Sequence, residues 1–191
     1  KNWGSSSVDD LAAEIHVWHL QLAFIANRVS DSLNKLESGS YILEDIVMLD
    51  QELLKWRDRI PLDFQPEQEN LAQGHLYTAV AWLHLQYFNL MRTVHWVSHV
   101  TSTQFESHLN QCGPRIRSSE SICLVAARSV IDSMNHQAQR DSNRTVRMIG
   151  IPLSYCMAAV SVIFRNILKH PTALSARTNL EYLRAGTMHV L

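Results

Sequence analysis

The chain has 191 residues, 46% of them hydrophobic, with 17 Lys and Arg against 18 Asp and Glu for a net charge of -1. A length inside the usual span of roughly 100–200 residues predicts one domain with a sizeable core. The balanced charge gives no electrostatic reason to expect contact with nucleic acid, and six Gly and five Pro are too few for a turn-rich all-β fold.

The first helix is predicted to start near Ser7. Ser7 with Asp10 resembles a capping pair, and Asp9, Asp10 and Glu14 suit the positive end of the helix dipole. Leu11, Ile15, Trp18, Leu22, Ile25, Val29, Leu33 and Leu36 keep helical spacing. Ala13, Val17, Leu20 and Phe24 form a second stripe, so the first half of this helix is expected to be buried more fully than the second. Glu37-Ser38-Gly39-Ser40 ends it. A second helix is predicted from about Tyr41 to Ile60, with Ile42, Ile46, Leu49, Leu53, Trp56 and Ile60 facing inward and Pro61 as its stop. Leu62 to Gly74, with Pro66, three Gln and two Glu, reads as a surface connection.

The stretch from Leu76 to His99 follows, with Arg92 its only Asp, Glu, Lys or Arg. Leu76, Val80, Leu83, Tyr87, Leu90, Val94 and Val97 lie on one face of a helix. Tyr77, Ala81, His84, Phe88, Met91 and His95 form a second stripe. A helix apolar on two faces is buried on two faces, which makes it the centre of the fold. Thr101 to Ser119 is polar, carries Gly113-Pro114 and reads as a loop.

A fourth helix is predicted from Ser118–Ser121 to about Gln139, with Cys123, Ala127, Val130 and Met134 as its stripe and Ala126 and Ala127 allowing close helix approach. A fifth runs from about Thr145 to Lys169, with Ile149, Leu153, Cys156, Val160, Ile163 and Ile167 on one face, and Pro171 stops it. Its uncharged run, Met148 to Phe164, is shorter than the roughly 20 apolar residues of a membrane span, so a core helix is expected. A sixth helix starts near Thr172, with Leu180 and Leu183 as its clearest apolar positions. No strand-length alternation competes and no fixed-period repeat is present. The fold class is therefore all-α, about six helices packed around a central buried helix at 76–99. The missing initiator methionine and the hydrophobic end at Leu191 predict a fragment of a longer protein, and no signal-peptide core follows Lys1.

Catalytic signatures are absent: the sequence holds no G-x-S-x-G, H-E-x-x-H, Walker sequence or glycine-rich phosphate loop. Three cysteines, Cys112, Cys123 and Cys156, without a C-x-x-C, indicate buried thiols and neither a disulfide framework nor a zinc knuckle. His95 and His99 stand four apart, a spacing that can place two imidazoles on one metal, but no third ligand has a fixed spacing: Glu106 and His108 fall in the following loop. No metal and no cofactor is expected. His16 and His19 sit among Val17, Trp18 and Leu20, where packing explains them better. Arg140, Arg144 and Arg147, with Arg115 and Arg117, are diluted by Asp141 and Glu120 and read as solvated. Asn143-Arg144-Thr145 fits the glycosylation sequon, but nothing else indicates secretion. One polar feature invites a binding site: Tyr77, His84, Phe88 and His95 share the second stripe of the central helix, where an effector pocket would have apolar walls and a few polar groups. The competing reading makes His84 and His95 core histidines, each satisfied by a carbonyl or a neighbouring side chain.

Three segments carry a resemblance. Leu53-Leu54-Lys55-Trp56-Arg57-Asp58-Arg59-Ile60-Pro61-Leu62 is followed by Leu83-His84-Leu85-Gln86-Tyr87-Phe88-Asn89-Leu90 with Val94-His95, and then by Cys123-Leu124-Val125-Ala126-Ala127-Arg128-Ser129-Val130-Ile131. Their order and spacing resemble the regulatory region of fungal binuclear zinc-cluster transcription factors, the middle homology or fungal-specific transcription factor domain. The tail from Ala176 to Leu183 resembles the helix that follows in that family. The likeness spans about Leu49 to Leu183. His95-Trp96-Val97 stands where members often show His-Arg-Pro, and the cysteine-rich zinc cluster is not within Lys1–Leu191. The resemblance implies a single helical regulatory domain in the nucleus. That domain would perform no chemistry, touch neither DNA nor membrane, and control an attached DNA-binding domain. Its partners would be the other domains of the factor and, in some members, a small-molecule effector or coregulator protein. The alternative from the residues is an all-helical small-molecule-binding protein or enzyme using the His84/His95 stripe.

Overall fold

The computed structural model describes residues 8–37, 43–102, 118–140 and 151–188. The described residues form six α-helices and one short 3-10 turn, with no strand among them: α1 (Val8–Glu37), α2 (Leu43–Arg59), the turn Leu62–Phe64, α3 (His75–Ser102), α4 (Ser119–Arg140), α5 (Ile151–Lys169) and α6 (Ala176–Thr187). The all-α reading is correct, and the helix boundaries fall within a few residues of the predicted ones, apart from the start of α5. Its predicted first residues, 145–150, lie outside the described set, as do Cys112, the sequon, the arginines at 115, 117, 144 and 147, and residues 103–117 of the stretch expected to be a loop.

The chain divides into two compact units, Lys1–Tyr87 and Phe88–Leu191, and α3 supplies its first half to one and its second half to the other. In the first unit, α1 packs on α2. α1 buries Ile15, Trp18, Leu22 and Val29, and α2 buries Ile46, Leu49, Leu53, Trp56 and Ile60. Those positions repeat at three and four residues, the spacing of a single helix face. Trp56 stacks on Tyr87 at 5.7 Å between ring centroids, and its Nε1 donates to the Trp18 carbonyl at 3.1 Å. A buried indole thus keeps its one donor satisfied.

Two expectations for this unit are corrected. The second stripe of α1 faces solvent: Val17 is 48%, Leu20 56% and Phe24 74% exposed. α1 is covered along one face only: its first half is the better buried, through Ile15, Trp18 and Leu22, but the second stripe contributes nothing to that burial. The connection after α2 also turns inward. After Pro61, the Phe64 amide donates to the Pro61 carbonyl at 2.9 Å and closes the 3-10 turn. This drops the Phe64 ring into the core, 6.0 Å from the Trp18 ring, and Pro66 and Ala72 are buried as well. The Gln65 amide and the exposed polar residues around it supply the surface character read from the sequence.

In the second unit, α4 packs on α5, and α6 packs on both. α4 buries Cys123, Ala126, Ala127, Val130 and Ile131; α5 buries Cys156, Ala159, Val162 and Ile163. On α5 the predicted face is rotated slightly: Leu153, Val160 and Ile167 are only half-buried, while Ala159 is fully covered. Small residues at the helix crossing admit the neighbouring backbone, so Ala wins the central place over Val. α6 departs most. Leu180 is 56% exposed, and the buried residues of α6 are Asn179 and Gly186. None of the described helices is long and apolar enough to cross a membrane.

Candidate functional site

The four residues singled out on α3 divide between the two units. Tyr77 and His84 belong to the first, Phe88 and His95 to the second. Tyr77 is half-buried; the other three are buried.

The stretch Leu83-His84-Leu85-x-Tyr87 lies where α3 is buried on more than two faces, with Trp82 and Gln86 half-buried. Leu83 and Leu85 are both 0% exposed although they point to different faces, and Tyr87 is 1% exposed. Leu85 belongs to neither predicted stripe, because a double-stripe pattern gives no signal for a third covered face. The His84 Nε2 donates to the Phe64 carbonyl at 3.0 Å. Burial pulls the His84 pKa below its ordinary value, and the Phe64 bond offsets part of that pull. His84 thereby ties the 3-10 turn to α3. His19 makes a second polar tie in this unit, its Nε2 donating to the Ala79 carbonyl at 2.9 Å and its Nδ1 meeting the Gln86 side-chain amide at 3.3 Å.

In the second unit, His95 is fully buried, and its Nδ1 shares a hydrogen bond with the Ser119 hydroxyl at 3.0 Å, at the first residue of α4. The side chain of His99 lies outside the description. Among the described residues no group of three or more His, Cys, Asp or Glu could hold a metal ion.

The Cys123-x-x-Ala126-Ala127-Arg128 segment acts as a three-way joint. Cys123 donates to the Arg92 carbonyl of α3 at 3.4 Å, and burial pushes its thiol up to about 12, with Arg92 opposing. Ala126 and Ala127 are buried on the helix that meets α5 and α6. Arg128 reaches α6: its Nε donates to Asn179 Oδ1 at 3.0 Å, its Nη2 donates to the same oxygen, and its guanidinium lies 5.7 Å from the Tyr182 ring centre. Asn179 passes the chain on by donating to Asn166 Oδ1 at 2.9 Å, and the Tyr182 hydroxyl donates to Asp132 at 2.9 Å. Sequence reading did not foresee Asn179, Asn166 or Asp132, because a polar residue in an amphipathic pattern reads as solvated.

A small cleft opens in this unit beside Trp96, Glu120, Cys123, Leu124, Val162, Arg165 and Asn166. Arg165 covers the Trp96 ring at 4.9 Å, a cation–π contact. The remaining space suits an ordered water rather than an organic ligand. Lys169 at the end of α5 meets Glu120 in the first turn of α4 at 2.7 Å, each complementing its own helix dipole. The buried residues of the segments that carry the resemblance therefore build interiors and joints between helices.

The chain is similar to two proteins described as ABC-transporter-regulating transcription factors, one from Aspergillus fumigatus and one from Aspergillus oryzae. Identities are 30% and 29% over 157 residues, which cover 77% of this chain. The chain spans about one sixth, 17%, of the length of these curated relatives. No protein-family model matches the chain, and no solved structure matches it significantly. The likeness is to fungal transcription factors, and to a fraction of their length.

Proposed function

We propose that this chain is a helical regulatory module of a fungal transcription factor, of the middle-homology kind, acting in the nucleus on an attached zinc-cluster DNA-binding domain. The observation that carries this reading is the likeness to two fungal transcription factors over 77% of the chain. The quoted segments support it from the residue side: Trp56, Leu83, His84, Leu85, Tyr87, Cys123 and Ala127 are all buried. A module of this kind performs no chemistry; its output is the packing state of its helices, which a partner domain or a coregulator biases through differential affinity. The imidazoles of His84 and His95 already have polar partners inside their own units, which favours core histidines over the catalytic or carrier reading. An effector at Tyr77, His84, Phe88 or His95 would have to compete with those bonds.

Tethering tests the proposal. Fused to an unrelated DNA-binding domain at a reporter promoter, the chain is expected to change transcription, up or down, relative to the tether alone, with promoter occupancy constant. An unchanged reporter at equal protein abundance rejects the regulatory reading. Sequencing the transcript upstream of the Lys1 codon tests the finer claim. Six cysteines at zinc-cluster spacing support it, and another kind of DNA-binding domain there replaces it.

A further inference from the structure

α6 is attached to the second unit by chemistry unlike that of its neighbours. α4 and α5 bury branched apolar side chains, Val130, Ile131, Val162 and Ile163. Within Ala176–Thr187, the buried residues are Asn179 and Gly186, one polar and one without a side chain. Tyr182 and Leu183 are half-buried. Polar contacts run along the length of α6. Asn179 accepts from Arg128 and donates to Asn166, the Tyr182 hydroxyl donates to Asp132, and the Gly186 carbonyl accepts from the Cys156 thiol at 3.4 Å.

Hydrogen bonds made on folding replace bonds to water and add little net stability, whereas buried apolar area adds steadily. An element held by polar joints and half-buried surface opens before the apolar core beneath it. The turn that leads into α6 runs through His170, Pro171, Thr172, Ala173 and Leu174, all exposed. Gly186 lies directly on the core, against Val160 and Ile131. We propose that α6 is a releasable strap: it detaches as a unit while α4 and α5 stay packed, and its release uncovers Cys156 with the apolar surface of Ile131 and Val160. This inference does not rest on the transcriptional reading.

The cysteines report it. Cys156 is 0% exposed beneath the Gly186 carbonyl, and Cys123 is 2% exposed against the Arg92 carbonyl of α3. In the whole chain carrying Cys112→Ser, iodoacetamide labelling under native conditions is followed by mass spectrometry, each rate scaled to that of the denatured protein. Cys156 is expected to label at least tenfold faster than Cys123. Asn179→Ala is expected to speed Cys156 by about a further tenfold and to leave Cys123 unchanged. Tyr182→Phe, which removes only the hydroxyl bond to Asp132, is expected to move Cys156 in the same direction by less. Equal scaled rates for the two thiols in the parent chain overturn the strap, and that comparison stands even if Asn179→Ala fails to fold. Equal acceleration of both thiols by the variants overturns it too, since opening is then global.

Discussion

At the scale of single residues, two positions carry more than their exposure suggests. Glu67 has φ of 79°, the left-handed region that a side chain adopts at a cost, in a turn where the Gln68 amide donates to the Gln65 carbonyl at 3.2 Å. Its carboxylate meets Arg57 at 3.4 Å, an exposed pair of small value. Glu67→Gly is therefore expected to leave the thermal midpoint unchanged or raise it, the released strain outweighing the added freedom of the unfolded chain. Glu67→Val is expected to cost about 1–2 kcal/mol, because a β-branched residue is worse in this region. His84 gives a pH signature. Its pKa is lowered by burial, so as pH falls the unfolded chain takes up the proton first. The His84 contribution is complete above the ordinary value of about 6.5 and is lost as pH drops below it. His84→Gln, whose amide can still donate to the Phe64 carbonyl, is expected to flatten the fall of the urea midpoint between about pH 7.5 and pH 5.5. His84→Leu leaves that carbonyl without its buried donor and is expected to cost about 1–3 kcal/mol at neutral pH.

At the scale of elements, α3 and α6 obey different rules. α3 is apolar nearly all round, so the depth of each position sets its cost. Leu83→Ala and Leu85→Ala are each expected to cost about 2–5 kcal/mol, since both side chains are fully buried. Leu90 is half-buried, and Leu90→Ala is expected to cost about 1–2 kcal/mol by the smaller area it removes from water. Denaturant titration of the three variants checks the ranking, and a Leu85→Ala cost no larger than that of Leu90→Ala would mean that the third face is not covered. On α6 the key position has no side chain at all. A Cβ at Gly186 would sit 2.6 Å from a Val160 methyl and 3.1 Å from Ile131 Cδ1. In an exposed helix, Gly→Ala gains about 1 kcal/mol. Here Gly186→Ala is expected to lose about 1–3 kcal/mol by overpacking, and Val160→Ala in the same chain is expected to recover part of the loss. The melting temperatures of the two single variants and the double variant decide it.

At the scale of the whole molecule, a net charge of -1 supplies no overall positive charge to attract DNA, and duplex affinity comes mainly from neutralised phosphates. The isolated chain is expected to give no sequence-dependent shift of duplex DNA at physiological salt. A tight, sequence-specific complex would mean that the chain reads DNA itself and that the proposed division of labour with an attached domain is wrong.

The helical class, where most helices start and stop, and which face of α2 and which two faces of α3 are buried can be read from the residues alone. These are local properties: caps, prolines and the 3.6-residue period act within one segment. Part of the candidate site was legible in the same way, because Leu83, His84, Tyr87, Cys123 and Ala127 all sit on apolar stripes. Which of the two α1 stripes is covered depends on where the neighbouring helices lie, and so emerges from the packing alone. The packing also decides that Phe64 folds under the connection and supplies the carbonyl for His84, a pairing across 20 residues that no local pattern encodes. The inward face of α6 was hidden for the same reason. Asn179 and Gly186 are weak entries in any hydrophobic pattern, and they become interior only because Arg128, Asn166 and Val160 arrive from other helices to partner or crowd them.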